Sequence, residues 1–185
     1  MEQLLYRKIG YAMSSNEIRR EAYAEGAKYV SRRMRTEKEV IKHLVDLGFL
    51  EHEAIEVAHS LKSDGYINDE EYAVLFLVNA FQKGRSFNRA KRELSMLGVD
   101  DFSIEDAFYR LETEERHSIT GRIVLSEEDR ANEVMLKFLE KSGYSISDKV
   151  PRKIYARVAR NLARKGYNSS VIYKVCSKIN QDSAL

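Results

Sequence analysis

Leu44-Val45-Asp46-Leu47-Gly48-Phe49 returns as Leu94-Ser95-Met96-Leu97-Gly98-Val99 and again as Leu162-Ala163-Arg164-Lys165-Gly166-Tyr167. In each copy a leucine stands four residues before a glycine, and an apolar residue follows the glycine. This is the sequence form of a helix stopped at a residue of positive φ, with the next side chain folded back on the last turn. Upstream, Val40, Leu44 and Leu47 make one apolar stripe, Ala90, Leu94 and Leu97 a second, and Val158 with Leu162 a third. Downstream, Gly48 leads to Ile55 and Ala58, Gly98 to Ile104 and Ala107, and Gly166 to Ile172 and Val175, the first interval being one residue longer than the others. Each glycine therefore separates two helices, and a longer helix precedes each pair, as Tyr72, Phe76 and Ala80 mark for the second. Three three-helix units are predicted. Repetition of this kind means stacked units, each burying a face against its neighbour.

The repeats are placed at 22–68, 69–113 and 127–180. Residues 1–21 fall outside the pattern, and 114–126, which holds Thr120-Gly121 and no helical period, reads as a linker and hinge. Thr36-Glu37-Lys38-Glu39 and Asn68-Asp69-Glu70-Glu71 read as capping boxes, and Ser14, Ser86, Ser103 and Ser126 as N-caps. Pro151 is the single proline, and Arg122-Ile123-Val124-Leu125 is the one candidate strand, too short to count against an all-α class.

A chain of 185 residues buries enough surface to need no covalent staple. Cys176 is the single cysteine, so no intramolecular disulfide can form, which fits a reducing cytoplasm. No apolar run approaches the roughly 20 residues needed to cross a bilayer, and Met1 to Met13 lacks the apolar core of a signal peptide. A cytoplasmic protein without a membrane partner is expected.

The net charge is only +2, but the charges are segregated. Lys149 to Gly166 holds Lys149, Arg152, Lys153, Arg157, Arg160, Arg164 and Lys165 and no acid. At 100° per residue Lys153, Arg157, Arg160 and Arg164 share one narrow sector, opposite Ile154, Tyr155, Val158 and Leu162. Lys83 to Arg92 is likewise free of acid and carries Lys83, Arg85, Arg89, Lys91 and Arg92. Arg32, Arg33 and Arg35 form the basic group of the first unit. The third helices are acidic: Phe49 to Tyr72 holds Glu51, Glu53, Glu56, Asp64, Asp69, Glu70 and Glu71 against Lys62 alone, and Glu93 to His117 is similar. Stacked in register, such helices would offer a basic face to phosphate or to an acidic protein surface. Arg32, Arg33, Arg35, Lys83, Arg85, Arg89, Lys91, Arg92, Arg152, Lys153, Arg157, Arg160 and Arg164 are the candidate binding residues.

Catalytic patterns are missing from the sequence. There is no Gly-x-x-x-x-Gly-Lys-Ser/Thr loop and no Gly-x-Gly-x-x-Gly turn. His43, His52, His59 and His117 form no His-x-x-x-His pair, and Cys176 lies between Ile172 and Ile179 as a small core residue. No catalytic residue, cofactor, metal or small-molecule substrate is expected, and the tyrosines at helical spacing are assigned to packing.

The string Arg33-Met34-Arg35-Thr36-Glu37-Lys38-Glu39-Val40, then Gly48-Phe49, then Gly65-Tyr66-Ile67-Asn68-Asp69-Glu70-Glu71-Tyr72-Ala73, is similar to the first repeat of the RecX family and its junction with the second. Lys83-Gly84-Arg85, Glu93-Leu94 and Leu97-Gly98 resemble the second repeat, and Lys153-Ile154-Tyr155 with Ala163-Arg164-Lys165-Gly166-Tyr167 resembles the third, more loosely. The resemblance implies tandem three-helix repeats in a curved, elongated molecule. It implies binding to the RecA–DNA filament, weak binding to single- and double-stranded DNA, and restraint of RecA's ATPase, strand-exchange and coprotease activities without catalysis by the protein itself. The residues alone leave two other readings open: a general helical-repeat nucleic-acid binder, and a protein-only scaffold whose basic helices meet acidic partners.

Overall fold

The computed structural model describes residues 14–113 and 126–182. Their regular structure is helical throughout: α1 Ser15–Val30, α2 Glu37–Asp46, α3 Glu51–Ser63, α4 Asp69–Gln82, α5 Phe87–Met96, α6 Asp101–Thr113, α7 Glu127–Lys141, α8 Arg152–Arg164 and α9 Ser169–Asp182. The class is all-α, and the helices run in three consecutive trios. The candidate strand at 122–125 and all of the expected linker except Ser126 lie outside the described residues.

The glycine stops form as the spacing requires. Gly48, Gly98 and Gly166 have φ of 96°, 93° and 92°. In two of the three, the next residue folds back: Phe49 N donates to Leu44 O at 3.2 Å, and Tyr167 N to Leu162 O at 3.3 Å. The unequal interval after Gly48 disappears. All three third helices start three residues after their glycine, at Glu51, Asp101 and Ser169. In that register Ala54, not Ile55, is the counterpart of Ile104 and Ile172. The buried positions then align as Ala54, Val57 and Leu61 in α3, Ile104, Ala107 and Leu111 in α6, and Val175 and Ile179 in α9. An alanine at the first core position made Ile55, which is only half-buried, the more conspicuous residue in the sequence.

Two boundaries differ from the expected ones. The limit placed at residue 22 falls inside α1, because Ser14 and Glu17 close a capping box that starts the helix at Ser15. Ile18 already packs on the core. In α6 the cap is Asp100, not Ser103: the Asp100 carboxylate accepts from Ser103 N at 2.9 Å and from Ser103 Oγ at 2.6 Å. Thr36, Asn68, Ser86 and Ser126 act as N-caps, accepting from the backbone N–H three residues on, and Thr36 with Glu39 closes the full capping box.

Contacts divide the described residues into two compact units, one of those up to Ala73 with Ser95–Ser103, the other of Val74–Leu94 with those from Ile104 on. In the first, Ala22, Val30, Val40, Leu44, Phe49, Val57, Leu61 and Ile67 form the core. In the second, α7, α8 and α9 close around Ala131, Met135, Leu139, Val158, Leu162, Tyr167, Val175, Cys176 and Ile179. Burial pushes the Cys176 thiol pKa up, as suits a packing residue rather than a nucleophile.

Each unit contains the same junction between successive repeats. In the first, Thr36 Oγ1 donates to Leu97 O at 2.7 Å and Lys38 Nζ to Met96 O at 3.3 Å. In the second, Ser86 N donates to Lys165 O at 2.9 Å, and the Arg89 guanidinium donates to Arg164 O. Thr36 and Ser86 are equivalent N-cap residues, and Leu97 and Lys165 are equivalent helix ends. The N-terminal end of one repeat's middle helix thus meets the C-terminal carbonyls of the next repeat's middle helix. Donors meet orphan acceptors, and the helix dipoles oppose each other favourably. Thr36→Val keeps the side chain's shape but removes its cap and its bond to Leu97. A loss on the order of 1–3 kcal/mol is expected. A lowered urea midpoint with an unchanged slope would show it.

Candidate nucleic-acid interface

Helix α8 sorts its side chains as 3.6-residue periodicity demands. Val158 and Leu162 are fully buried, and Ile154 and Tyr155 are half-buried. Arg152, Lys153, Arg157, Arg160 and Arg164 are exposed. None of these five pairs with a carboxylate among the described residues. The local contacts of two of them are weak: Arg160 Nε donates to Ala156 O of its own helix at 3.2 Å, and the Arg157 guanidinium lies 5.5 Å from the centre of the Phe138 ring. The helix begins without a side-chain cap, with Pro151 at the N-cap position.

The other predicted residues divide. Arg85 and Arg89 both grip Glu93, Arg89 through Nε to Oε1 at 2.9 Å. Lys91 pairs with Glu105 at 2.7 Å. Arg33 and Arg35 share Glu39 Oε1 at 3.0 and 3.2 Å. Arg35 also lies 4.0 Å from the centre of the Tyr29 ring, which stacks on His43. Burial lowers the His43 pKa. These five cations hold the fold together locally, and their charge is largely met. Arg32, Lys83 and Arg92 remain exposed, without a carboxylate partner among the described residues.

The second unit brings further cations alongside those of α8. Lys137 and Lys141, one turn apart on α7, are both exposed. With Lys83, Lys165 and Arg130 they line a cleft of about 200 Å³ whose wall also includes Asn161 of α8. Lys165 is half-buried, and its pKa is lowered by burial first and then by Arg85, Arg89, Lys137 and Lys141. Lys165 belongs to the basic run of the sequence but not to the candidate residues, and Lys137, Lys141 and Arg130 belong to neither. Their helix also carries Glu127, Glu128, Asp129, Glu133 and Glu140, so no acid-free window marks it. The signal available was the four-residue spacing of Lys137 and Lys141.

With this geometry in place, comparison with known proteins assigns the chain. Residues 22–61 match the model of the first three-helix domain of RecX, and residues 128–176 match that of its third. The chain belongs to the RecX family. Proteins named regulatory protein RecX from Bacillus cereus and Geobacillus kaustophilus are 30% and 29% identical to it over 172 and 174 residues, covering 91% and 92% of this chain. The chain spans 57% of the length of each of these relatives. Among solved structures, RecX from Lactobacillus salivarius superposes with a TM-score of 0.67 at 22% identity, over 90% of this chain and 99% of that one. A second RecX structure gives 0.65 at 20% identity, over 95% and 85%. The RecX fold therefore holds across low identity, and RecX proteins are regulatory in name. The match to the third RecX domain contains the whole of α8 with its cationic face. No helix among the described residues is long and apolar enough to cross a membrane.

Proposed function

We propose that this protein restrains the RecA recombinase by binding the RecA–DNA filament, lowering its ATPase, strand-exchange and coprotease output. Membership of the RecX family supports the partner. The carboxylate-free cationic face of α8 is the observation that carries the contact. Guanidinium groups suit phosphate and carboxylate oxygens because their N–H donors form a planar fork. Held on a rigid helix with its apolar side packed, they need only their side chains ordered on binding, the backbone being ordered already. Arg32, Lys83 and Arg92 are the further contacts we assign. Arg33, Arg35, Arg85, Arg89 and Lys91 act mainly by holding the repeats in shape.

Fluorescence anisotropy tests this reading, using labelled single-stranded DNA bare and coated with RecA. Tighter binding to the coated strand is expected, with affinity falling steeply as salt rises. Each neutralised phosphate adds about 0.7 to the slope of log affinity against log salt on single strands. Equal affinity for bare and coated DNA would favour a general nucleic-acid binder, and no binding to bare DNA with a shallow slope would favour a protein-only interface.

A further inference from the structure

The cleft in the second unit has a chemistry that the outward stripe of α8 does not share. It lies where the end of α4 meets α7 and the last turn of α8. Lys83, Lys137, Lys141, Lys165 and Arg130 line it, against the single acid Glu133. Glu133 is 3.3 Å from Lys137, and the lining holds no further acid to set against Lys83, Lys141 and Lys165. The positive charge is also fixed in place. Arg130 is 5% exposed, and its guanidinium lies 4.1 Å from the centre of the Phe81 ring. The Lys165 ammonium donates to Lys83 O, so its long side chain is tethered across the cleft. The carboxamide of Asn161 lines the same space, and its Nδ2 group is the part of it that can donate to an anion.

Holding like charges together costs energy that a counter-anion would return. Burial first, and then Arg85, Arg89, Lys137 and Lys141, lower the pKa of Lys165, so the crowding of cations is the smaller part of that shift. The size of the space narrows the choice of anion. At about 200 Å³ the cleft falls below the roughly 300–1,000 Å³ of sites that engulf a whole small-molecule ligand. It has room for an anionic group rather than for a complete nucleotide. Ammonium groups converging from several directions act as point charges and suit a compact, multiply charged oxyanion. A single carboxylate would leave most of them unneutralised.

We propose that this cleft is a phosphate-binding site, seating a phosphate group that belongs either to a DNA backbone or to a free phosphate compound. The DNA source rests on the nucleic-acid reading above; the site itself does not. Lysines of α7 and of the α4 end line it, whereas the α8 stripe consists of that helix's own cations. A strand held there would be anchored at one defined phosphate while the arginines of α8 track its neighbours.

The test uses the full chain, sodium pyrophosphate as probe, and calorimetry together with methyl NMR of Val134, which lines the cleft. Saturable binding with a shift of the Val134 methyls is expected. Lys137→Glu with Lys141→Glu should weaken it about tenfold or more, because each lost contact is a charge-assisted one. Both residues are exposed, so the circular-dichroism spectrum should stay as it is. Lys28→Glu with Lys42→Glu, exposed positions of the first unit, should leave pyrophosphate binding unchanged. Displacement of pyrophosphate by a short single-stranded oligonucleotide would assign the site to a DNA phosphate. Oligonucleotide binding without displacement would assign it to a free phosphate compound. The absence of saturable pyrophosphate binding at low salt, or equal binding by the cleft and control variants, would overturn the site. A chain that binds pyrophosphate yet leaves RecA unaffected would overturn the RecA reading and leave the site standing.

Discussion

Arg157→Glu combined with Arg160→Glu is expected to weaken binding to RecA-coated DNA by about a hundredfold or more, with the helical circular-dichroism signal and melting temperature unchanged. Each charge-assisted contact contributes about 1.5–3 kcal/mol, and tenfold in affinity is about 1.4 kcal/mol. Reversal removes two such contacts and sets two negative charges against the same anions. The fold should not notice. Both side chains are exposed on the side of α8 away from Val158 and Leu162, and neither meets a carboxylate among the described residues. Surface changes of that kind stay within about 0.5 kcal/mol. The instructive comparison is Arg85→Glu with Arg89→Glu. Those arginines hold Glu93, and Arg89 also donates to Arg164 O, so this pair should lower the melting temperature. A loss of fold in the α8 pair, or binding that survives it, would remove α8 from the interface.

The largest effect on stability is expected from Gly98→Val. Gly98 has φ +93°, a conformation that a β-branched residue resists, and an added Cβ would stand 2.5 Å from Lys38 Cβ and 2.6 Å from its Cδ. The backbone strain is of order 1–3 kcal/mol. Forcing the end of α5 away from the start of α2 adds overpacking of about 1–3 kcal/mol and disturbs the Thr36 and Lys38 bonds to the α5 carbonyls. Gly65→Val separates the two terms. Gly65 has φ +79° but nothing within 4 Å of an added Cβ, so it incurs strain alone. Urea denaturation should rank wild type above Gly65→Val and Gly65→Val above Gly98→Val. Equal costs at the two glycines would show that the close approach at the junction contributes nothing.

That junction illustrates what sequence could and could not show. The Leu-x-x-x-Gly-apolar copies located three helix stops, because a positive-φ residue and a fold-back contact depend only on local chemistry. They did not show that Gly98 and Gly166 are also where the middle helix of the preceding repeat closes in, since nothing local distinguishes Gly98 from Gly65. The repeat register slipped by one in α3 because Ala54 is small and Ile55 beside it is not. Among the charges, α8 was legible: the helix itself contains no acid, so exposure followed from the wheel alone. The other two basic groups were less so. The acid-free window ended at Arg92, one residue short of the Glu93 that binds Arg85 and Arg89, and Glu39 stands in the same four-residue relation to Arg35. Lys137, Lys141 and Arg130 escaped notice because their helix looks acidic in sequence, and only packing turns its basic side toward Lys83 and Lys165.

Restraint of RecA through a cationic face meets its sharpest check in RecA's own ATP hydrolysis on single-stranded DNA. The rate is measured against added protein at two salt concentrations, beside an unrelated DNA-dependent ATPase. Slowing of RecA at less than one protein per RecA, weaker at the higher salt and with the unrelated enzyme unaffected, is the predicted result. A RecA rate unchanged at several-fold excess of folded protein, or equal slowing of both enzymes, would contradict it.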